Sequence, residues 1–242
     1  MTSFRYRNTD SEMMDNPDVS MQTLRMVFED INTSNRLLGG SSITVGKVRE
    51  LVRECPKQQY TIVDMGCGDG DTMRVLAKYF RKANIAVELI GLDLSDKAIA
   101  IGRELSVNFP EISFIKQDVL TLNPLDFKCH ILLCTLTMHH FSNEQIPVFL
   151  SKFIKLATIG VVVNDLQRSA LAYYLFKGFS AIFIKTKIAK HDGLISIKSG
   201  FTKKDLIAFS KNLHQVRHTI NWKFAFRYVW VIRTSRLNQS NE

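Results

Sequence analysis

Short apolar runs and amphipathic stretches alternate along most of the chain. Residues 60–63, 87–92, 112–116, 130–136 and 159–163 are apolar runs of strand length, as expected of buried parallel strands. Between them lie helical patterns. Met73, Leu76, Ala77 and Phe80 share one face of 72–82, and Ser95 caps a helix over 96–108. A capping box from Ser142 to Gln145 opens another, with Val148, Phe149, Phe153, Ile154 and Leu156 on its buried side. Upstream, 21–38 carries Leu24, Val27, Phe28, Ile31 and Leu38 at helical spacing and is closed by Gly39 and Gly40. A second capping box, Thr202 to Asp205, begins the last helix, and strands over 215–222 and 226–234 would bring the total to seven. Strand and helix alternate five times before that point, which predicts an α/β fold with a doubly wound parallel sheet.

The segment 63–71 reads VDMGCGDGD, an apolar strand end followed by a carboxylate and three glycines at alternate positions. Gly66, Gly68 and Gly70 let the backbone turn tightly, so a nucleoside-like ligand can lie on the main chain beside Asp64. The dinucleotide fingerprint G-x-G-x-x-G offers a helix N-terminus to a pyrophosphate and wants no carboxylate just upstream. Here Asp64 and Asp69 would repel a diphosphate, whereas a ligand carrying positive charge would be attracted. A tight turn without a ligand is the plain alternative. Asp93 ends the second strand, where an acidic side chain can accept both hydroxyls of a ribose; Leu94 follows it. Asp93 could instead be a helix cap, but Ser95 already fills that role.

These residues resemble the first motif of the class I S-adenosylmethionine (SAM) dependent methyltransferases, and the likeness runs over most of the chain. It implies a seven-stranded Rossmann-like sheet with the last strand antiparallel, and SAM as cofactor. Asp64, Gly66, Gly68, Gly70, Asp93 and Leu94 would then bind SAM, with Asp118 and Val119 meeting the adenine, although Asp118 could equally cap a turn. Arg36 stands where the family often supplies a partner for the methionyl carboxylate; a solvated arginine at a helix C-terminus explains it equally well.

After the fourth strand comes TMHHF, at the position that faces the transferred methyl in this fold. The Asn/Asp-Pro-Pro-Tyr/Phe cluster of enzymes that methylate amino groups of bases or glutamine amides is absent. The pair His139 and His140 resembles members acting on small molecules, where a neutral imidazole takes a proton from a hydroxyl. Either histidine could instead only pack at the strand end. Met14-Asp15, the run Asn35 to Gly40, Asn164-Asp165-Leu166 and the segment from His191 to Ile197 are similar to a bacterial subgroup in aromatic and polyketide-type pathways. His191 is the third candidate base.

Residues 167–200 form an insertion, its first half holding Tyr173, Tyr174, Phe176, Phe179, Ile182, Phe183 and Ile184 and reading as one or two helices. A cap over an aromatic or lipophilic acceptor fits this, as does a dimer interface. The 242 residues suit a single domain over 1–242, with residues 1–18 polar enough to be loosely ordered. Four cysteines without metal-ligand spacing suggest reduced thiols, no metal site and, with no apolar leader or bilayer-length run, a cytoplasmic protein. The net charge is +9, and residues 168–236 hold 14 Lys and Arg against 2 acidic residues. That basic third could bind RNA or an anionic membrane surface, or simply be solvated. The reading favoured is methyl transfer to an oxygen, or less readily a carbon, of a small aromatic or lipophilic acceptor. The alternatives are an RNA methyltransferase and a non-catalytic SAM-binding partner protein.

Overall fold

The computed structural model describes residues 3–123, 128–211 and 213–234; the two ends of the expected domain, 1–2 and 235–242, lie outside them. Two helices, α1 (Met21–Leu37) and α2 (Gly40–Glu54), precede the alternating part. Then follow β1 (Gln59–Met65), α3 (Asp71–Ala83), β2 (Ala86–Asp93), α4 (Asp96–Leu105), β3 (Ile112–Lys116), β4 (Cys129–Thr135), α5 (Gln145–Leu156) and β5 (Ala157–Leu166). The insertion forms α6 (Ala170–Phe183) and α7 (Lys187–Ser199), and α8 (Lys203–Ser210), β6 (Val216–Lys223) and β7 (Arg227–Thr234) complete the chain.

The seven strands form one sheet in the order β3-β2-β1-β4-β5-β7-β6. β1 to β5 are parallel, and β7 runs antiparallel to both β5 and β6. Strand order therefore reverses between β1 and β4, which opens a crevice at their carboxyl ends. One face buries Phe149, Phe153, Phe201 and Trp230 under α5 and α8. The other buries Leu51, Met73, Leu76 and Phe80 under α2 and α3.

Several boundaries differ from the sequence expectation. α2 was hidden because its buried stripe begins with Gly40, Ser41 and Thr44, and only then turns apolar with Val48, Leu51 and Val52. β5 continues through Asn164 and Asp165, two buried polar residues whose partners are remote in sequence. Asn164 Nδ2 donates to the Gly40 carbonyl (3.0 Å) and to Thr44 Oγ1 (2.9 Å). No helix joins β3 to β4 among the described residues, so the alternation is less regular than expected. Val148 is 56% exposed, because α5 turns Ile146, Phe149, Leu150 and Phe153 inward and leaves it outside that stripe.

Residues 3–18 are a strap pinned across the molecule, where the sequence predicts loose order. Arg7 Nε donates to the Ser199 carbonyl (2.8 Å) and Nη2 to that of His139 (2.8 Å). Arg168 Nε donates to the Phe4 carbonyl (3.1 Å). Of the strap's polar side chains, Arg7 and Glu12 are taken up by such long-range bonds. No helix among the described residues is long and apolar enough to cross a membrane.

Phe149 is fully buried, with ring centroids of Phe141 and Phe153 at 4.8 and 4.9 Å. Phe149→Ala is expected to cost about 3–5 kcal/mol, read as a lowered urea midpoint with unchanged slope.

Candidate active site

A cavity of about 910 Å³ opens over the strand ends flanking the β1/β4 reversal. Small-molecule sites usually span about 300–1,000 Å³, so this one has room for a nucleoside and a second small ligand together.

The loop from Gly66 to Gly70 joins β1 to α3 and is fastened to β2, where the Leu92 carbonyl accepts from the N–H groups of Gly66 (2.8 Å) and Cys67 (3.1 Å). All three glycines take positive φ, 68°, 55° and 78°. Gly66 and Gly68 line the cavity, and an added Cβ at Gly66 would stand 2.3 Å from Thr137 Cγ2. Gly70 does not line it. Its missing side chain leaves room for Phe114, 2.7 Å from where a Cβ would be, so its role is packing at the start of α3.

Asp93 Oδ2 accepts from the Gly68 N–H (2.8 Å) and Oδ1 from the Ser95 N–H (2.9 Å), which locks the carboxylate at the cavity wall. A carboxylate has about four acceptor sites, so both oxygens can still receive hydroxyls. Burial raises its pKa despite those bonds. Asp64 is buried at the end of β1, its Oδ1 without a partner among the described residues. Burial, and then the charge of Asp93, push its pKa up to about 7. Two desolvated carboxylates that pair with no cation among the described residues suit a ligand that brings positive charge and ribose hydroxyls, and SAM offers both. Asp69 takes no part in this. It pairs with Arg74 (3.2 Å) and accepts from Asn32 Nδ2 (2.8 Å), which removes it from the repulsion that the sequence assigned to it.

Leu94, Asp118 and Val119 line the same cavity, and Asp118 Oδ1 accepts from the Leu120 N–H (2.8 Å). Arg36 does not reach it. Its side chain is 58% exposed and lies 3.7 Å from Asp71. Asn35, one residue earlier and so 100° around the helix, faces the cavity and accepts from Arg227 Nη2 (2.8 Å). Arg227 was missed by sequence reasoning; the signal was an arginine inside the apolar strand sequence FRYVWVI, where charge is rarely left without a purpose.

The histidine pair follows β4 in a single turn of 3-10 helix, Met138–His140. His139 is buried, with Nδ1 2.7 Å from Asp165 Oδ1 and Nε2 3.3 Å from Glu12 Oε1. Burial opposes its charge, but the two carboxylates override this and push its pKa up to about 10. His140 stacks on His139 with centroids 4.4 Å apart and lines the cavity. Burial, and the neighbouring imidazolium, hold its pKa below the usual value. Its Nε2 lies 3.9 Å from Glu12 Oε2. Glu12, His139 and His140 offer ligand atoms within 4.8 Å of one another. Because both nitrogens of His139 already face carboxylates, the cluster is built to hold protons.

His191 is turned out of the cavity, its side chain 51% exposed. Asp192 points inward instead and accepts from the N–H groups of Met13 (2.8 Å) and Met14 (2.9 Å), while Ser196 donates to Glu12. Helix α7 therefore clamps the strap over the histidines. Phe176, Phe179 and Ile184 of the insertion supply apolar wall.

Residues 62–160 match a family model described as a methyltransferase domain. No curated protein sequence matches the chain. Among solved structures, the plantazolicin methyltransferase BpumL in complex with SAH, the demethylated form of SAM, is similar at a TM-score of 0.66 and 15% identity, over 91% of each chain. Magnesium protoporphyrin IX methyltransferase from Synechocystis PCC 6803 with bound SAH gives 0.57 and 16%, over 81% of this chain and 84% of that one. A SAM-dependent methyltransferase from Aquifex aeolicus gives 0.60 and 11%, over 89% and 99%. Residues 62–160 thus carry a methyltransferase domain, and this strand order with an acidic glycine loop at the reversal is the Rossmann-like fold of the class I methyltransferases.

Proposed function

We propose that the protein methylates an oxygen, or less readily a carbon, of a small aromatic or lipophilic acceptor held beneath α6 and α7, with His140 as the base. The observation that carries this is the His140 imidazole on the cavity wall, stacked 4.4 Å from His139, with desolvation and the neighbouring imidazolium holding its pKa below the usual value. The named neighbours act on a porphyrin and a plantazolicin, which supports an acceptor of small-molecule kind.

When bound, SAM would supply a methyl group activated by its sulfonium, with the thioether of SAH as the leaving group. Asp93 would hold the ribose hydroxyls, Asp64 would face the positive charge, and Leu94, Asp118 and Val119 would bound the adenine. Gly66 and Gly68 allow the main chain to approach. On the acceptor side, apolar residues of the insertion exclude water, and His140 Nε2 or Nδ1 takes the hydroxyl proton as the oxygen becomes nucleophilic. A phenol, with pKa about 10, needs only modest help, so such a base contributes roughly 10²–10⁴ in rate. His139 stays charged between Asp165 and Glu12 and acts through His140, as a positioning residue.

The base assignment predicts a pH profile. His140 must be neutral, so the acid limb of kcat/KM should lie below pH 6.5, with a plateau above it. His140→Gln is expected to lower kcat by about 10²–10⁴ while SAH affinity stays within twofold. His139→Gln removes the charge that depresses His140, so the acid limb should move to higher pH. An unmoved limb would exclude the coupling. Methyl transfer from labelled SAM into separated small-molecule and RNA extracts distinguishes the proposed acceptor class from the RNA alternative.

Asp93→Ala should weaken SAM at least tenfold by calorimetry, as expected for hydrogen bonds to a charged acceptor. Asp64, with a pKa of about 7, is part-protonated near neutrality, and a cation beside it lowers that pKa. SAM binding at pH 7 should therefore release a fraction of a proton, seen as a binding enthalpy that changes between phosphate and Tris buffers. The difference should vanish above about pH 9 and in Asp64→Asn; its persistence in that variant would remove Asp64 from the site.

A further inference from the structure

Arg227 opens β7, and its side chain is 3% exposed. Nη2 donates to Asn35 Oδ1 (2.8 Å), while Nε and Nη1 meet no acceptor among the described residues. Arg227 is one of the residues that line the cavity. Burial lowers its pKa to about 10, which leaves it charged at neutral pH. The acidic residue that acts on that charge is Asp165, itself already paired to His139. A guanidinium buried with most of its donors unused is costly, since charges are normally buried only with hydrogen-bonded partners. The fold also makes room for it: an added Cβ at Gly40 would stand 2.9 Å from its Cζ.

We propose that Arg227 is a ligand-binding residue that receives a carboxylate in this cavity, and that by position the carboxylate belongs to the acceptor. The methionyl tail of SAM is the other source of the same chemistry. The inference rests on reading the cavity as the joint site of SAM and acceptor. Sheet order favours the acceptor. The carboxylates Asp64 and Asp93 sit on β1 and β2, the histidines follow β4, and β7 lies beyond β5 on the far side of them. At about 4.8 Å per strand, β7 is about 14 Å from β1. Arg227 thus stands across the histidine pair from the ribose end, paired in register with Leu166 at the carboxyl end of β5. Phe224, Ala225 and Phe226 line the cavity beside it, so the charge lies next to apolar wall. An aromatic or long-chain acid would satisfy both.

The test compares wild type with Arg227→Met, which keeps length without charge, and Arg227→Lys, which keeps charge without the planar fork. Both are first checked for native melting. Calorimetry measures SAH and S-adenosyl-3-thiopropylamine, its analogue lacking the carboxylate. Protein loaded with SAH is then titrated with benzoate, salicylate and decanoate, and with the corresponding amides. The expected result is that Arg227→Met weakens the acids at least tenfold and leaves the amides and SAH unchanged, with Arg227→Lys between. Should SAH weaken tenfold while its carboxylate-free analogue does not, the carboxylate is the methionyl one and the assignment to the acceptor falls. If neither SAH nor any acid is weakened in a folded variant, or acids and amides weaken alike, the whole proposal is overturned. Failure of wild type to bind SAH at all would instead sink the reading of the cavity, and is scored separately.

Discussion

His139 is charged, fully buried and gripped from both sides, by Asp165 at the end of β5 and by Glu12 in the N-terminal strap. Removing three ionised groups from water is expensive, and their attraction offsets that only when the geometry is good and the spare donors and acceptors are used. Here they are. Asp165 also accepts from the N–H groups of His139 (3.1 Å) and Leu166 (2.7 Å), and Glu12 accepts from Ser196. Four pieces of chain far apart in sequence therefore meet at one imidazolium: the strap, the turn after β4, the tip of β5, and α7. Burial first, and then this fixed cation stacked on it, hold the pKa of His140 below its usual value.

Charge is divided along the sheet edge. Asp64 and Asp93 make the β1 and β2 side negative and leave it in want of a cation. The β4 to β7 side carries the buried positive groups His139 and Arg227. A reversal in strand order at β1 and β4 is what lets the two halves share one cavity, because the connections leave in opposite directions there and open the space between them. The glycine loop matters for where it puts backbone rather than for its own contacts: its N–H groups fasten to Leu92 and Asp93 and hold the acidic wall in place.

Much of this was legible in the chain. The parallel strands announced themselves as apolar runs, and the loop was marked by glycines that must take positive φ. Asp93 lines the cavity, as an acid at a strand tip predicts. The capping boxes at Ser142 and Thr202 are both present, since each needs only residues three apart. What escaped depends on remote partners. α2 begins with small and polar residues whose burial is explained only by Asn164 and Arg227. The polar strap looks unstructured until Ser199, His139 and Asp192 supply its bonds. The choice between neighbours was also invisible: Arg36 or Asn35, His191 or Asp192. Adjacent helix residues diverge by 100°, and which one faces inward is set by how the helix lies on the sheet.

The sequence by itself determined the doubly wound sheet, the acidic glycine loop and the chemistry of a cationic nucleoside, because each is written in neighbouring residues through periodicity, φ preference and charge. Only the tertiary structure decided which histidine has its pKa lowered, which carboxylates lack a partner and that Arg227 is among the residues lining the cavity. Those properties arise from burial and from charges brought together across the chain, and neither desolvation nor a long-range contact is encoded at any single position.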